Sequence, residues 1–232
     1  GAPMTETFIA LLLGHVLGDY VLQSAGMVAR KRRVTVLLLH VAIVGLASLA
    51  ALGGAPLLVL AVILAHLAID AVKTYLAPET LIAYLLDQAA HVAVIAAAAY
   101  LVPGAFAAGL WAGAPDLVVQ MAVAVIGLLV ATLAGGPAVG LLMKPYDIPD
   151  LPDGLPNGGR MIGLLERALI VLMVLVDQPA AIGFLIAAKS ILRFDMASES
   201  RAAGEYVIIG TLASFAWALV AAFATDYALT LL

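Results

Sequence analysis

Long apolar runs follow one another along almost the whole chain, and only short polar stretches separate them. A run of about 18 or more apolar residues is long enough to cross a bilayer as a helix. The pattern therefore predicts an all-α protein, a polytopic transmembrane helix bundle with about eight spans. The predicted spans cover residues 5–27, 34–53, 55–75, 80–102, 117–142, 160–177, 179–194 and 203–231.

The predicted spans fall into two membrane units. Residues 4–102 form a four-helix unit, and an irregular segment rich in glycine and alanine follows at 103–116. Residues 117–232 form the second unit, which contains a proline-rich loop at 144–160. Proline lacks the N–H that a helix interior needs, so this loop is not expected to be helical. We interpret residues 1–3, which precede the first methionine, as the remnant of an expression tag.

The basic residues lie toward one end of the predicted spans. The run from Arg30 to Arg33 separates the first two spans, and the other lysines and arginines fall at span ends on the same side. Cytoplasmic loops of membrane proteins carry an excess of lysine and arginine. This face is therefore expected to be cytoplasmic, with both termini outside.

Composition agrees with a membrane protein and excludes several functions. Hydrophobic residues make up 65% of the chain and charged residues 11%, whereas a soluble domain is about half apolar and a quarter charged. The net charge of −4 argues against nucleic-acid binding as a main role. The chain has no cysteine, which excludes disulfides, thiolate nucleophiles and cysteine-ligated metals.

Histidine and aspartate recur inside the first four predicted spans. Each of these spans has one histidine, and three of the four histidines have an aspartate four residues away. Residues four apart lie one turn apart on the same face of a helix. A charged group near the bilayer centre costs roughly 2.5–3.5 kcal/mol, so these carboxylates must be paired, hydrated or bound to a cation. The residues are His15 and Asp19, His40, His66 and Asp70, and Asp87 and His91.

Neutral imidazole and carboxylate together are a ligand set for zinc, manganese or non-haem iron. The predicted metal ligands, with zinc favoured, are His15, Asp19, His66, Asp70, Asp87 and His91. His40 is a further ligand or a base, and His40 and Asp87 are the predicted catalytic residues. The groups could serve one metal, or two metals that share a carboxylate. A proton or ion pathway, a bis-histidine haem site and simple helix-packing pairs remain open.

Four basic residues are candidates for binding an anion. A cluster of lysine and arginine near the cytoplasmic interface could bind phosphate or an anionic lipid headgroup. The same side chains could instead extend to the interface from buried stems. The candidates are Lys73, Arg167, Lys189 and Arg193.

These motifs resemble those of a bacterial polytopic membrane family catalogued as domain of unknown function 3307. The resemblance covers roughly residues 5–125 and implies a protein of the bacterial inner membrane, but it implies no established reaction. A looser similarity links the pattern to membrane-bound metal-dependent hydrolases. The motifs are G-H-x-x-G-D-Y-x-x-Q at 14–23, His40, H-x-x-x-D-x-x-K at 66–73 and D-Q-x-x-H at 87–91.

The sequence thus favours a membrane-embedded, metal-dependent hydrolase that acts on an anionic substrate, phosphate-bearing or lipid, at the cytoplasmic leaflet. A transporter for divalent cations or protons is the first alternative. A structural membrane subunit or a haem-binding membrane protein is the second. The substrate and the oligomeric state are left open.

Overall fold

The computed structural model describes residues 2–146, 155–199 and 201–232, with the backbone alone for 192–199. Within these ranges the chain forms helices joined by turns and no strand, which confirms the all-α class. The helices are α1 (Pro3–Val16), α2 (Ala25–Arg30), α3 (Val34–Leu52), α4 (Pro56–Tyr75), α5 (Leu81–Leu101), α6 (Asp116–Leu129), α7 (Gly135–Met143), α8 (Gly158–Leu175), α9 (Ala181–Glu199) and α10 (Arg201–Thr230). Part of the predicted proline-rich loop, residues 147–154, lies outside the described residues.

Among the residues that the structure describes, five helical segments are long and apolar enough to cross a membrane, which indicates an integral membrane protein. They are Val34–Leu52, Pro56–Tyr75, Leu81–Leu101, Asp116–Met143 and Arg201–Thr230. The other three predicted spans correspond to α1, α8 and α9. The count of eight spans and the side on which the termini lie stay predictions.

Two helices continue into single π-helical turns. α1 runs on through Leu17–Val21, and α6 runs on through Val130–Ala134 into α7. The first helix therefore ends at Val21, and the prediction that it extends to residue 27 is wrong. A new short helix, α2, starts there because the Ser24 side chain accepts a hydrogen bond from the Met27 backbone N–H (3.2 Å).

The chain divides into two compact units, residues 1–126 with 228–232 and residues 127–227. In the first unit α1, α3, α4 and α5 form a closed ring, in which each helix contacts the next and α5 contacts α1. Such a ring encloses a central axis, and side chains that point to this axis are removed from both water and lipid.

Close packing of α1 on α3 depends on two glycines. A Cβ atom on Gly14 would lie 2.4 Å from the Cα of Ser48, and one on Gly18 would lie 2.6 Å from the Cγ2 of Val44. A small residue every fourth position lets helix backbones approach closely. The approach brings the polar face of α1 against the residues of α3.

The turns after α5 are tied to the ends of α1 and α3. Thr7 is fully buried, donates its hydroxyl to the carbonyl of Pro103 (2.7 Å) and accepts the N–H of Phe106 (3.2 Å). The indole N–H of Trp111 donates to the carbonyl of Ala50 (2.9 Å). These bonds satisfy backbone groups that have no helical partner at this end of the ring.

The second unit has its own apolar core and a buried arginine beside it. The core consists of Ala131, Ile170, Val171, Val174, Ile182, Phe215, Ala218 and Ala222. The π-helical turn at Val130–Ala134 changes the helical hydrogen-bond pattern. Carbonyls of this turn accept side-chain donors: Trp217 donates to Val130 (2.9 Å) and Arg167 donates to Thr132 (2.9 Å).

Candidate metal centre

The ring of four helices brings all four histidines to its centre. His15, His66 and His91 are at most 3% exposed, and His40 is fully buried. Asp70 (1% exposed) and Asp87 (7% exposed) lie among them. The predicted convergence of imidazoles and carboxylates is therefore a feature of the fold of the first unit.

Four donor atoms face one another at the centre of this cluster. They are the Nε2 atoms of His40 and His66, Oδ1 of Asp19 and Oδ2 of Asp70. His40 Nε2 lies 3.2 Å from the Asp19 oxygen, 3.3 Å from the Asp70 oxygen and 3.3 Å from His66 Nε2. His66 Nε2 lies 3.5 Å from the Asp19 oxygen and 3.4 Å from the Asp70 oxygen. We call these four atoms the donor cage.

The donor cage has the dimensions of a zinc site. Zinc binds nitrogen and oxygen at about 2.0–2.1 Å in a tetrahedron, whose donors are then about 3.3–3.4 Å apart. The five separations in the cage that involve a histidine nitrogen run from 3.2 to 3.5 Å. Two imidazoles and two carboxylates are also a donor set that zinc accepts. Each carboxylate, taken with the two imidazoles, therefore has the spacing of three ligands of a tetrahedral divalent metal ion.

The π-helical turn at the end of α1 changes the pairing of Asp19. In a regular α-helix Asp19 would lie directly over His15, but here His15 Nδ1 and Asp19 Oδ2 are 3.9 Å apart. The extra residue in a π turn rotates the side chains that follow it. Asp19 consequently reaches histidines of α3 and α4 more closely than the histidine of its own helix.

Two lysines close the site on the carboxylate side. Lys31 Nζ lies 2.8 Å from Asp70 Oδ2, and Lys73 Nζ lies 2.6 Å from Asp87 Oδ2. The lysine side chains are 15% and 36% exposed, whereas both carboxylates are buried. Lysine amines are thus the parts of the site that are nearest to solvent.

Sequence reasoning missed Lys31 as a site residue. Its position within a run of four basic residues indicated topology, and nothing in that run singles out one member. In the structure the short helix α2 and the turn after it bring Lys31 back to Asp70. Gln23 is placed to link the two segments. With its amide oriented to suit both partners, it donates to the Asp19 carbonyl (3.1 Å) and accepts from Lys31 (3.2 Å).

Beside the donor cage, the rings of His15, His66 and His91 contact one another. Ring centroids are 4.3 Å apart for His66 and His91 and 4.9 Å apart for His15 and His91. Together with Ser48 they line a cavity of about 10 Å³, which is about the volume that holds one water molecule. A nitrogen of each ring lies within 4.8 Å of the others.

The geometry does not favour the bis-histidine haem interpretation for the two caged histidines. Their Nε2 atoms are 3.3 Å apart and both face the same two carboxylates. Axial histidines of a haem lie on opposite sides of a porphyrin ring. No porphyrin fits between nitrogens at this separation.

The cationic residues of the second unit are engaged in contacts with protein groups. Lys189 Nζ lies 2.6 Å from Glu166 Oε2 and 5.4 Å from the ring centroid of Phe215. Arg167 is 4% exposed and donates to Ser214 Oγ (2.9 Å). The side chain of Arg193 lies outside the described residues.

Lys73 belongs to the first unit, whereas the three other predicted anion-binding residues belong to the second. The predicted pocket that would combine all four stays a prediction. Within the first unit, the structure instead pairs Lys73 with Asp87.

The part of the chain that holds this site is similar to a known protein family. Residues 7–111 match a family described as "Protein of unknown function (DUF3307)". No curated protein and no solved structure matches the chain. The match includes all four histidines and the three aspartates that accompany them. Residues 7–111 of the chain are therefore similar to the DUF3307 family of proteins of unknown function.

Proposed function

We propose that the protein is a membrane-embedded, metal-dependent hydrolase. Its metal, zinc in the first place and manganese or iron as alternatives, is bound by Asp19, His40, His66 and Asp70. The observation that supports this proposal is the donor cage, in which the two histidine nitrogens lie 3.2–3.5 Å from each carboxylate oxygen, as neighbouring ligands of a tetrahedral ion do. Lys31 balances the charge of Asp70, but the largely buried Asp19 carboxylate faces the two imidazoles, which is unfavourable without a further cation.

In this role a bound divalent ion supplies a Lewis acid and makes a bound water acidic enough to yield hydroxide near neutral pH. Catalytic zinc sites keep one position for water or add a fifth ligand. Lys31, whose Nζ lies 2.8 Å from Asp70 Oδ2, balances the charge of this ligand. His40, predicted as a ligand or a base, serves in this assignment as a ligand.

The substrate we propose is anionic, either phosphate-bearing or a lipid. Lys31 and Lys73 are the residues of the site that are nearest to solvent, and each carries a positive charge beside a donor carboxylate. An anionic substrate that approaches from this end meets two amines before it meets the buried histidines. The attraction is electrostatic and should weaken as the salt concentration rises.

The orientation in the membrane forms part of the proposal. We place both termini outside, count eight spans, and assign the lysine end of the site to the cytoplasmic leaflet of a bacterial inner membrane. The support is the concentration of basic residues in the predicted cytoplasmic loops. The orientation is testable because the chain has no cysteine of its own. Single cysteines introduced at residues 2 and 32 should be labelled by a thiol reagent from opposite sides of the membrane.

Transport of a divalent cation or of protons is the alternative that one observation favours. The cage is closed by four protein donors, and its histidines are buried. A site of this kind can hold an ion between two openings without any substrate. A transporter needs an exit on the far side of the cage, whereas a hydrolase needs access from the lysine end alone.

The first experiment is elemental analysis of the detergent-purified protein, with the variant His66→Ala beside the wild type. About one or more zinc or manganese ions per wild-type chain, lost in the variant, would support the cage. The matched control is Glu166→Gln, which changes a buried charge in the other unit and should keep the metal. A wild type purified and reconstituted with zinc, manganese or iron that still holds no ion would refute the proposal.

Reconstitution in vesicles separates the two functions. Metal-dependent release of phosphate from a phosphate ester, with no ion uptake, identifies a hydrolase. Metal-dependent uptake of zinc or protons into sealed vesicles, with no hydrolysis, identifies a transporter. His66→Ala should abolish whichever activity is present.

A further inference from the structure

We propose that a second divalent cation binds next to the donor cage, held by His91, Asp87 and Asp70, so that the centre is binuclear. This inference rests on the proposed function, because it adds a second ion to the one in the cage. A donor atom from each of these three residues lies within 4.8 Å of the other two. Donors of one ion lie up to about 4.2–4.6 Å apart. The group is therefore within small side-chain adjustments of binding a metal.

The hydrogen bond of His91 fixes which of its nitrogens can bind a cation. His91 Nδ1 lies 2.8 Å from the backbone carbonyl oxygen of Asp87. A carbonyl only accepts, so Nδ1 carries the hydrogen and Nε2 carries the lone pair of the neutral ring. Nε2 is buried and has no hydrogen-bond partner among the residues that the structure describes. A histidine whose other nitrogen donates to a carbonyl is the usual arrangement of a metal ligand.

The two oxygens of Asp87 have different surroundings. Oδ2 accepts hydrogen bonds from Lys73 (2.6 Å) and from the Gln88 amide (3.0 Å). Oδ1 is buried and lacks a hydrogen bond within the described part of the chain. One oxygen is thus held in place by two donors, and the other is left as an acceptor. This is the state expected of a carboxylate that is oriented for a metal ion.

Asp70 connects this group to the donor cage. Its Oδ2 is a cage atom, and one of its oxygens also belongs to the group with Asp87 and His91. A carboxylate shared by two ions is a common feature of two-metal sites, where the ions are about 3.5–4 Å apart. The shared aspartate is the reason for treating the two groups as one centre.

His15 is placed to complete the second site. Its Nε2 lies 3.3 Å from the amide oxygen of Gln88, which can only accept, so Nδ1 carries the lone pair. Nδ1 is buried and, like His91 Nε2, has no hydrogen-bond partner among the described residues. The rings of His15 and His91 are stacked at 4.9 Å. Both histidines therefore present an unused acceptor in the same region.

A binuclear centre narrows the substrate class to phosphate esters. Two ions can stabilise the attacking and the leaving oxygen of an in-line displacement at phosphorus. In the hydrolysis, water adds its oxygen to phosphorus, the ester P–O bond breaks, and the alcohol leaves with a proton. Lys73, which contacts Asp87 and is partly exposed, is placed to contact the phosphate.

The test is metal stoichiometry and electron paramagnetic resonance on the full-length protein loaded with Mn²⁺. We expect two Mn²⁺ ions per wild-type chain and the spectrum of a magnetically coupled pair. His91→Ala should hold one ion and show the signal of isolated Mn²⁺. The matched control is Val92→Ala, the neighbouring residue on the lipid-exposed side of the same helix, which should keep two coupled ions.

A second variant guards against misfolding of the first. Asp87→Asn keeps the shape of the side chain, removes its charge, and should also reduce the stoichiometry to one. If the wild type holds one ion and both variants retain it, the second site is wrong and the donor cage stands. If the wild type holds two ions and both variants keep two, the assignment to His91 and Asp87 is overturned. A wild type without metal overturns the second site together with the proposed function.

Discussion

Both units bury charged side chains among apolar helices, but they differ in how these charges are balanced. In the second unit Lys189 is paired with Glu166 at 2.6 Å, and Arg167 donates to a hydroxyl and to a carbonyl at 2.9 Å. In the first unit two histidines and two aspartates face one another at 3.2–3.5 Å. Both units contain lysine–carboxylate pairs, but the first unit in addition brings imidazoles and carboxylates together, and both kinds of group bind cations.

The atoms left without hydrogen bonds show the same difference. Among the described residues, the first unit leaves oxygens of Asp19 and Asp87, ring nitrogens of His15, His40 and His91 and the Ser48 hydroxyl, whereas the second unit leaves the Nε–H donor of Arg167. Buried acceptors that converge attract a cation, and a single buried donor does not. Burial of charge alone is therefore a poor sign of a metal site in a membrane protein. The kind of group that remains unpartnered is more informative.

Metal binding should stabilise the first unit only, and this is the largest effect we expect. Zinc at about 1,000 times its dissociation constant stabilises the state that binds it by about 4 kcal/mol. The melting temperature of the wild type should therefore rise with zinc and fall with a chelator. Asp19→Asn should reduce this response, because it replaces a charged donor of the cage.

Glu166→Gln is the control for the zinc response, since it changes a buried carboxylate that lies in the second unit. Its melting temperature should still rise when zinc is added. An equal zinc response in Asp19→Asn and the wild type would show that the stabilising ion binds elsewhere. Differential scanning fluorimetry in detergent is sufficient for the comparison.

The substitution Gly14→Ala should separate the α1–α3 contact from the cage chemistry. The added methyl would lie 2.4 Å from the Cα of Ser48, so one helix must move. Overpacking of this kind costs about 1–3 kcal/mol, and the shift of α1 should also weaken metal binding through Asp19. Metal affinity by titration and the melting temperature check both effects.

Gly140→Ala is the matched control for the glycine substitution. Gly140 also lies within a helix, but a Cβ there would meet nothing within 4 Å. This change should stabilise slightly, by up to about 1 kcal/mol, because alanine favours helix over glycine. Equal melting temperatures for the two alanine variants would contradict the close packing of α1 on α3.

The sequence pattern predicts the helices and the convergence of the site, but not the pairing within it. Apolar runs and the i, i+4 spacing of histidine and aspartate are local, so they can be recognised in one chain. The pairing of Asp19 with His40 and His66 across helices is not local. It depends on the π-helical turn after Val16 and on the two glycines that bring α1 close to α3.

His40 and Lys31 also make contacts that the sequence pattern does not predict. His40 has no aspartate one turn away, so spacing alone leaves its role open, whereas the fold puts it in contact with carboxylates of two other helices. Lys31 lies in the turn between α2 and α3, and it reaches Asp70 of α4 through the folding of these helices against one another. Contacts between elements far apart in sequence leave no periodic signal, and for this reason they could not be predicted.

Arg167→Met should destabilise the second unit moderately and leave the metal in place. The change removes hydrogen bonds to Ser214 and to the Thr132 carbonyl, each of which contributes about 1.5–3 kcal/mol when one partner is charged. Burial of the guanidinium charge costs free energy, and removing that charge offsets part of this loss. We expect a net decrease of about 1–2 kcal/mol in the free energy of unfolding, with unchanged metal content. Loss of metal in this variant would contradict the proposal that the metal is bound by residues of the first unit alone.

The smallest effect on stability is expected for Lys73→Gln. Lys73 is 36% exposed at its side chain, so its ion pair with Asp87 is screened by solvent and contributes at most about 1 kcal/mol. Metal stoichiometry should be unchanged, because Gln88 still donates to Asp87 Oδ2.

If Lys73 also contacts an anionic substrate, kcat/KM of the Lys73→Gln variant for a phosphate ester should fall about tenfold, equivalent to about 1.4 kcal/mol. Lys73→Arg keeps the charge and should recover part of this loss, and the difference between the two variants should shrink at high salt. A Lys73→Gln protein with wild-type kcat/KM would confine this lysine to the structural role that Lys189 has in the second unit.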